Sequence, residues 1–129
     1  MNKKWKKKWV KALRSGDYEQ CTGKLHKAGD GFCCLGVLCD IVGAGRWKKK
    51  DRDSIYPKNH QKPIPVKEMF YVGEDSESSE VLPAFIFEEV GLDNSNPYVQ
   101  TNGDGDTLSE LNDGGYNFNS IADFIEESL

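Results

Sequence analysis

The residues of this chain that could carry covalent or metal chemistry are four cysteines, two histidines and a run of alternating carboxylates. Three cysteines crowd into Phe32-Cys33-Cys34-Leu35-Gly36-Val37-Leu38-Cys39-Asp40, with Cys21 upstream. A zinc site asks for ligands paired at C-x2–4-C spacing with a second pair elsewhere. The C-C-x4-C cluster has only His26 and His60 to complete it, and on one helix Cys34 and Cys39 point roughly 140° apart at about 100° per residue. The spacing predicts small buried hydrophobes and no metal. Cys33 and Cys34 fall near a helix start, where a thiolate is stabilised. Nothing in the sequence places His26 or His60 beside them as a base. No catalytic residue and no cofactor are therefore assigned, and the chain is not read as an enzyme.

Glycine and carboxylate patterns are equally bland. Six residues separate Gly16 from Gly23-Lys24 where a P-loop has four, and Leu25 stands in the Ser/Thr place. Gly29-x-Gly31, Gly43-x-Gly45 and Gly103-x-Gly105 are two-glycine fragments of a three-glycine fingerprint and read as turns. Asn102-x-Asp104-x-Asp106 has the alternation of a calcium loop, but Thr107 replaces the glycine of the sharp bend and Asp113 the closing glutamate.

Binding chemistry is better served. Phosphates would select Arg14, Lys24 or Arg46; a base would stack on Tyr18 or Trp47; Asn112 and Asp113, just ahead of Gly114-Gly115, would read its polar edges. Each has a plainer role: Arg14 as a helix-end charge, Tyr18 as core, Asn112 and Asp113 as helix-end caps. Charge is divided: residues 1–50 hold 13 basic groups against 4 acidic, and residues 51–129 hold 4 against 17. That division predicts either a basic surface for an anion or, preferentially, two halves that neutralise each other. Arg46-Trp47-Lys48-Lys49-Lys50 interleaves a ring with cations as single-strand binders do. A pI near 5.2, and the need for Trp5 and Trp9 in the core, make nucleic acid a lesser partner.

The elements that must position these residues follow from periodicity. Trp5, Trp9, Ala12 and Leu13 form one helical stripe over 2–15, stopped by Gly16. Residues 18–26 read as an edge strand or loop, Ala28-Gly29-Asp30-Gly31 as a turn, and Phe32–Val42 as a central helix ended by Gly43. Residues 46–67 look irregular, with about 48–65 and 73–80 mobile, and Met69–Val72 is the best strand. Pro83 opens a short helix to Val90; Tyr98–Gln100 is a candidate strand. Thr107 or Asp106 caps a helix containing Leu108 and Leu111, and Phe118, Ile121, Ala122, Ile125 and Leu129 define the last helix. Glu126 and Glu127 sit where its dipole disfavours anions, so a basic neighbour such as the first helix is expected beside them.

At 129 residues the chain is one domain, long enough for a real core. The reading is α+β: about five short helices around one small, mainly antiparallel sheet from 18–27, 67–72 and 97–101. No apolar run is long enough to span a membrane and no leader is visible, so a cytosolic location is expected.

Two blocks carry a resemblance. Trp9-x-x-Ala12-Leu13-Arg14-Ser15-Gly16-x-Tyr18-x-Gln20, then Gly23-x-Leu25 and the Phe32–Asp40 cysteine block, resemble the front of a family of small tailed-phage and prophage proteins. Leu108-Ser109-x-Leu111-Asn112-Asp113-x-Gly115-x-x-Phe118-x-x-Ile121-Ala122-Asp123-x-Ile125-Glu126 resembles its back. The resemblance implies a phage-encoded protein of the host cytoplasm with no enzymatic residue to carry over. By analogy with small phage proteins, the expectation is a binder in anti-defence that sequesters an anionic, nucleotide-type signal. A host-protein inhibitor acting through the acidic half, and a nucleic-acid binder acting through the lysine-rich first helix, are the alternatives. A homo-oligomer is compatible with all three.

Overall fold

The structure is a computed structural model that describes residues 1–55 and 64–129. Helix α1 (Lys3–Arg14) starts where Asn2 Oδ1 accepts from the Lys4 and Trp5 amides, and it buries Trp9, Val10 and Leu13. Gly16, at φ +80°, turns the chain away. A two-residue strand β1 (His26–Lys27) pairs antiparallel with β2 (Gly31–Phe32) across the expected turn, with His26 opposite Phe32. Gln20 bridges Phe32 in parallel, so the 18–26 segment contributes one bridge and a two-residue strand.

Helix α2 (Cys34–Val42) begins two residues later than its apolar run suggests, because Phe32 belongs to β2 and Cys33 is the N-cap, its Sγ accepting from the Gly36 amide. Residues Cys34 to Cys39 are all buried. This burial on every side makes α2 the centre of the core. The Trp9 indole donates to the Cys34 carbonyl at 2.9 Å, tying α1 to it.

The main correction concerns 46–67. Strands β3 (Arg46–Ile55) and β4 (Ile64–Val72) form the longest paired element, with Trp47 opposite Tyr71, Lys49 opposite Met69 and Lys50 opposite Glu68. The register slips between Arg52 and Ile55. Residues 56–63, including Pro57, His60 and Pro63, lie outside the described residues; of the 48–65 segment expected to be mobile, 48–55 and 64–65 fall in the paired strands. The acidic stretch 73–80 is likewise more than a loop: β5 (Glu77–Ser78) pairs with β4, and Glu77 forms an ion pair with Lys50.

Helix α3 (Ala84–Glu89) follows Pro83 and is stopped by Gly91 at φ +77°. Strands β6 (Tyr98–Val99) and β7 (Asp106–Thr107) form a small hairpin around the Asn102-x-Asp104-x-Asp106 turn. Thr107 is the N-cap of α4 (Leu108–Asp113), and α5 (Phe118–Ser128) is capped by Asn117 Oδ1 on the Ser120 amide. The single expected sheet is thus replaced, among the described residues, by three separate antiparallel sheets of two, three and two strands. Five helices with small antiparallel sheets among the described residues make the fold α+β. Helix α1 packs along α2 and α5, and α4 sits against α2 and α5. No helix of the described residues is long and apolar enough to cross a membrane.

Candidate functional site

A groove of about 400 Å³ runs between the β1–β2 turn and the β3–β4 hairpin. Its β1 side is Lys24, His26, Lys27 and Ala28; its hairpin side is Lys49, Met69, Lys67 and Glu68. The register explains the hairpin side. Lys49 and Met69 face each other on the same surface as Trp47 and Tyr71, one step further from the core, so the hairpin carries the core-facing surface outward past the buried layer.

Rings line up beside the groove. His26 and Phe32, opposed across β1–β2, stack at 3.9 Å; Trp47 approaches His26 at 5.0 Å and Phe32 at 5.7 Å, and Tyr18 meets Phe32 edge-on at 5.1 Å. On the far side Trp47 packs at 4.7 Å on buried Tyr71. Asp40 holds two of these rings from outside. Its carboxylate accepts from the Tyr18 hydroxyl at 2.6 Å and from Trp47 Nε1 at 3.1 Å. Burial, together with that bond to Asp40, pushes the Tyr18 phenol well above its ordinary pKa. The His26 ring donates through Nδ1 to the Gly31 carbonyl at 2.7 Å, which fixes its plane.

The cations of the groove differ in how far they are neutralised. Lys24 forms ion pairs with Glu68 and with Glu80. Burial alone would lower its pKa, but these two bonds outweigh it and hold the ammonium above its ordinary value. Lys67 pairs loosely with Asp51 at 3.3 Å, both side chains largely exposed, a contact of little energy. Among the described residues, Lys27 and Lys49 have no acidic partner. The groove therefore presents uncompensated positive charge next to a wall of partly exposed rings.

The residues singled out from sequence divide accordingly. Tyr18 and Trp47 come together through Asp40, and Lys24 lies on the adjoining groove. Arg14 is elsewhere: its guanidinium bridges Asp123 and Glu126 of α5, and those two hydrogen bonds raise its pKa. This is the basic neighbour that the α5 carboxylates needed, although it is an arginine at the end of α1 and none of the α1 lysines. Arg46 lines a separate cleft with Gly43 and Glu74. Asn112 is 1% exposed, and its carboxamide is fully engaged. Oδ1 accepts from Gln20 Nε2 (2.9 Å) and the Cys34 amide (3.1 Å), and Nδ2 donates to the Cys21 carbonyl (2.8 Å). Asp113 accepts from the Gly23 amide at 2.8 Å. These two side chains tie the loop before β1 to α2 and α4, and neither faces the groove.

Lys27, Phe32 and Asp40 are the site residues that sequence reasoning passed over, while His26 was weighed only as a metal ligand or base and Lys49 only within the Arg46–Lys50 run. The signal for His26 and Phe32 was present, since a glycine-rich turn between them makes them cross-strand partners. The place of Lys49 on a strand opposite Met69 was hidden, because its lysine run has no apolar alternation.

Thiol chemistry has no support in the geometry. Burial pushes Cys33 up to about 12, and Cys34 and Cys39 well above their ordinary range for the same reason. All four thiols are buried and unbridged. Among the described residues, no group of three or more His, Cys, Asp or Glu is placed to hold a metal ion. The chain belongs to the family described as a domain of unknown function, DUF8296, which it matches over residues 1–129. No curated protein and no solved structure matches it.

Proposed function

Taking membership of that family as the premise and the groove as the ground, we propose that this protein is a non-catalytic binder of an anionic, ring-bearing small molecule of nucleotide type. One observation carries the reading: Lys27 and Lys49, without acidic partners among the described residues, line a groove flanked by the His26–Phe32–Trp47 rings. Phosphates would sit on the lysines and a base against the partly exposed rings, a division of labour that suits both parts of a nucleotide. The groove volume of about 400 Å³ lies in the range of small-molecule sites, about 300–1,000 Å³. The resemblance to small tailed-phage proteins would place this binding in the host cytoplasm, where holding a signalling nucleotide would blunt a defence. The host-protein inhibitor is less favoured, because Glu68, Glu77, Glu80, Asp123 and Glu126 of the acidic half are already paired with Lys24, Lys50 and Arg14.

Calorimetric titration with adenosine monophosphate, adenosine diphosphate, adenosine and inorganic phosphate tests this. The expected result is binding of the nucleotides over both fragments, weakened at least about tenfold in a Lys27→Ala, Lys49→Ala variant. Nucleotide binding that the double variant leaves unchanged, or none at millimolar concentration, would overturn the reading.

A further inference from the structure

Helix α1 carries a charge that the fold leaves unanswered. Lys3, Lys4, Lys7, Lys8 and Lys11 are exposed, and three pairs of them are four residues apart, a spacing at which like charges destabilise a helix. No acidic residue occupies the first turn, where the helix dipole adds further positive potential. The chain holds 21 acidic residues. Among the described residues the only α1 cation paired with any of them is Arg14.

Two of these lysines, Lys8 and Lys11, line a second cleft of about 360 Å³ whose other wall includes Ser15, Tyr18 and a single carboxylate, Asp17. Tyr18 is also the first ring of the row described above. It touches Phe32, Phe32 stacks on His26, and His26 lines the groove that holds Lys27 and Lys49. The contacting rings Tyr18, Phe32 and His26 therefore link the two clefts, with the Asp40 carboxylate bonded to Tyr18 and Trp47 beside them.

We propose that the two clefts and the ring row form one track for a short single-stranded nucleic acid, its phosphates on the two lysine clusters and its bases on the rings between them. The proposal rests on the nucleotide reading of the groove and extends it to a ligand more than one nucleotide long. Cations flanking stacked rings are how sequence-tolerant single-strand binders work, because every base offers a π face. Asp40 repels phosphate from the middle of the track, which favours bases there and disfavours a duplex, whose charge is continuous along its length. A membrane surface is a poor match, since the apolar stripe of α1 that would insert, Trp9, Val10 and Leu13, is buried in the core.

The test uses the intact protein and fluorescein-labelled oligothymidylates of two, four and eight nucleotides, a labelled 12-base-pair duplex, adenosine monophosphate and polyglutamate. Affinity is expected to rise at least about tenfold from the dinucleotide to the octanucleotide, with the duplex weaker. Lys8→Ala, Lys11→Ala should abolish that length gain and lower the salt slope by about 1.4, two contacts at about 0.7 each, while leaving adenosine monophosphate binding unchanged. Tyr18→Leu should weaken the octanucleotide more than the mononucleotide. Affinity independent of length, with the mononucleotide still bound, would overturn the track and leave the groove reading standing. Polyglutamate binding as well as the octanucleotide, with no loss in Tyr18→Leu, would also overturn it, in favour of a general polyanion surface. A silent mononucleotide titration would overturn the groove reading itself.

Discussion

Asn112 and the buried cysteines show how far a side chain's chemistry depends on what surrounds it. A carboxamide ahead of two glycines is well suited to read the edge of a base, yet here both its ends are bonded within the protein, to Gln20, Cys21 and Cys34. Replacing it with alanine leaves the Cys34 amide and the Cys21 carbonyl without these partners in the core, and each orphaned group costs about 1–3 kcal/mol. Asn112→Ala should therefore lower stability by about 3 kcal/mol in urea unfolding, and Asn112→Asp, which cannot donate to Cys21, should lose much of the same amount. A stable Asn112→Ala protein with weakened ligand binding would return the residue to the binding site. His26 and Phe32 make the opposite case: neither looks chemical in isolation, and the β1–β2 register alone creates their stacked pair.

At the level of elements, helices were legible, as were the strand ends Met69–Val72 and Tyr98–Val99, but the way strands pair was not. Apolar spacing in α1 and α5 and the glycine stops at 16, 43 and 91 mark ends that local backbone chemistry determines. The β3–β4 hairpin escaped because its first strand reads Arg-Trp-Lys-Lys-Lys-Asp-Arg-Asp-Ser-Ile, with scarcely any apolar alternation. Its partners, Glu68 opposite Lys50 and Lys67 opposite Asp51, are visible only once the register is known. The groove was illegible for the same reason, since one of its walls is that hairpin. Docking of α2 is set by a different constraint. A Cβ at Gly36 would overlap the Leu25 carbonyl, which also accepts from the Cys33 amide at 3.0 Å. Gly36→Ala would therefore force α2 away from the strand-leading segment. Overpacking of this kind costs about 1–3 kcal/mol, so the thermal midpoint should fall by several degrees. An unchanged midpoint would mean that α2 slides freely there.

The molecule as a whole neutralises itself only in part. Its acidic half pairs with Arg14, Lys24 and Lys50, while among the described residues the exposed lysines of α1 and Lys27 and Lys49 of the groove keep their field. Its response to alkali is set by the centre. Cys33 keeps its proton up to about 12 when folded and loses it near 9.0 when unfolded, so the unfolded chain binds fewer protons across that interval and stability falls as pH rises through it. Each such thiol contributes a slope of about 1.4 kcal/mol per pH unit, and Cys34 and Cys39 act in the same direction. Urea midpoints should drop steadily above pH 9. Cys33→Ser, which puts a capping oxygen in place of the Sγ that accepts from Gly36, should make that decline shallower; a flat profile from pH 8 to 10 would contradict the assignment. The Asn112 tie has a further consequence, for the order of synthesis. The groups it joins, around Gln20 and Cys34, leave the ribosome some eighty to ninety residues before Asn112 itself does, at about 5–20 residues per second. For several seconds the nascent chain holds its central helix without the bond that fastens it, and a premature stop before α4 would release a fragment with that fastening permanently missing.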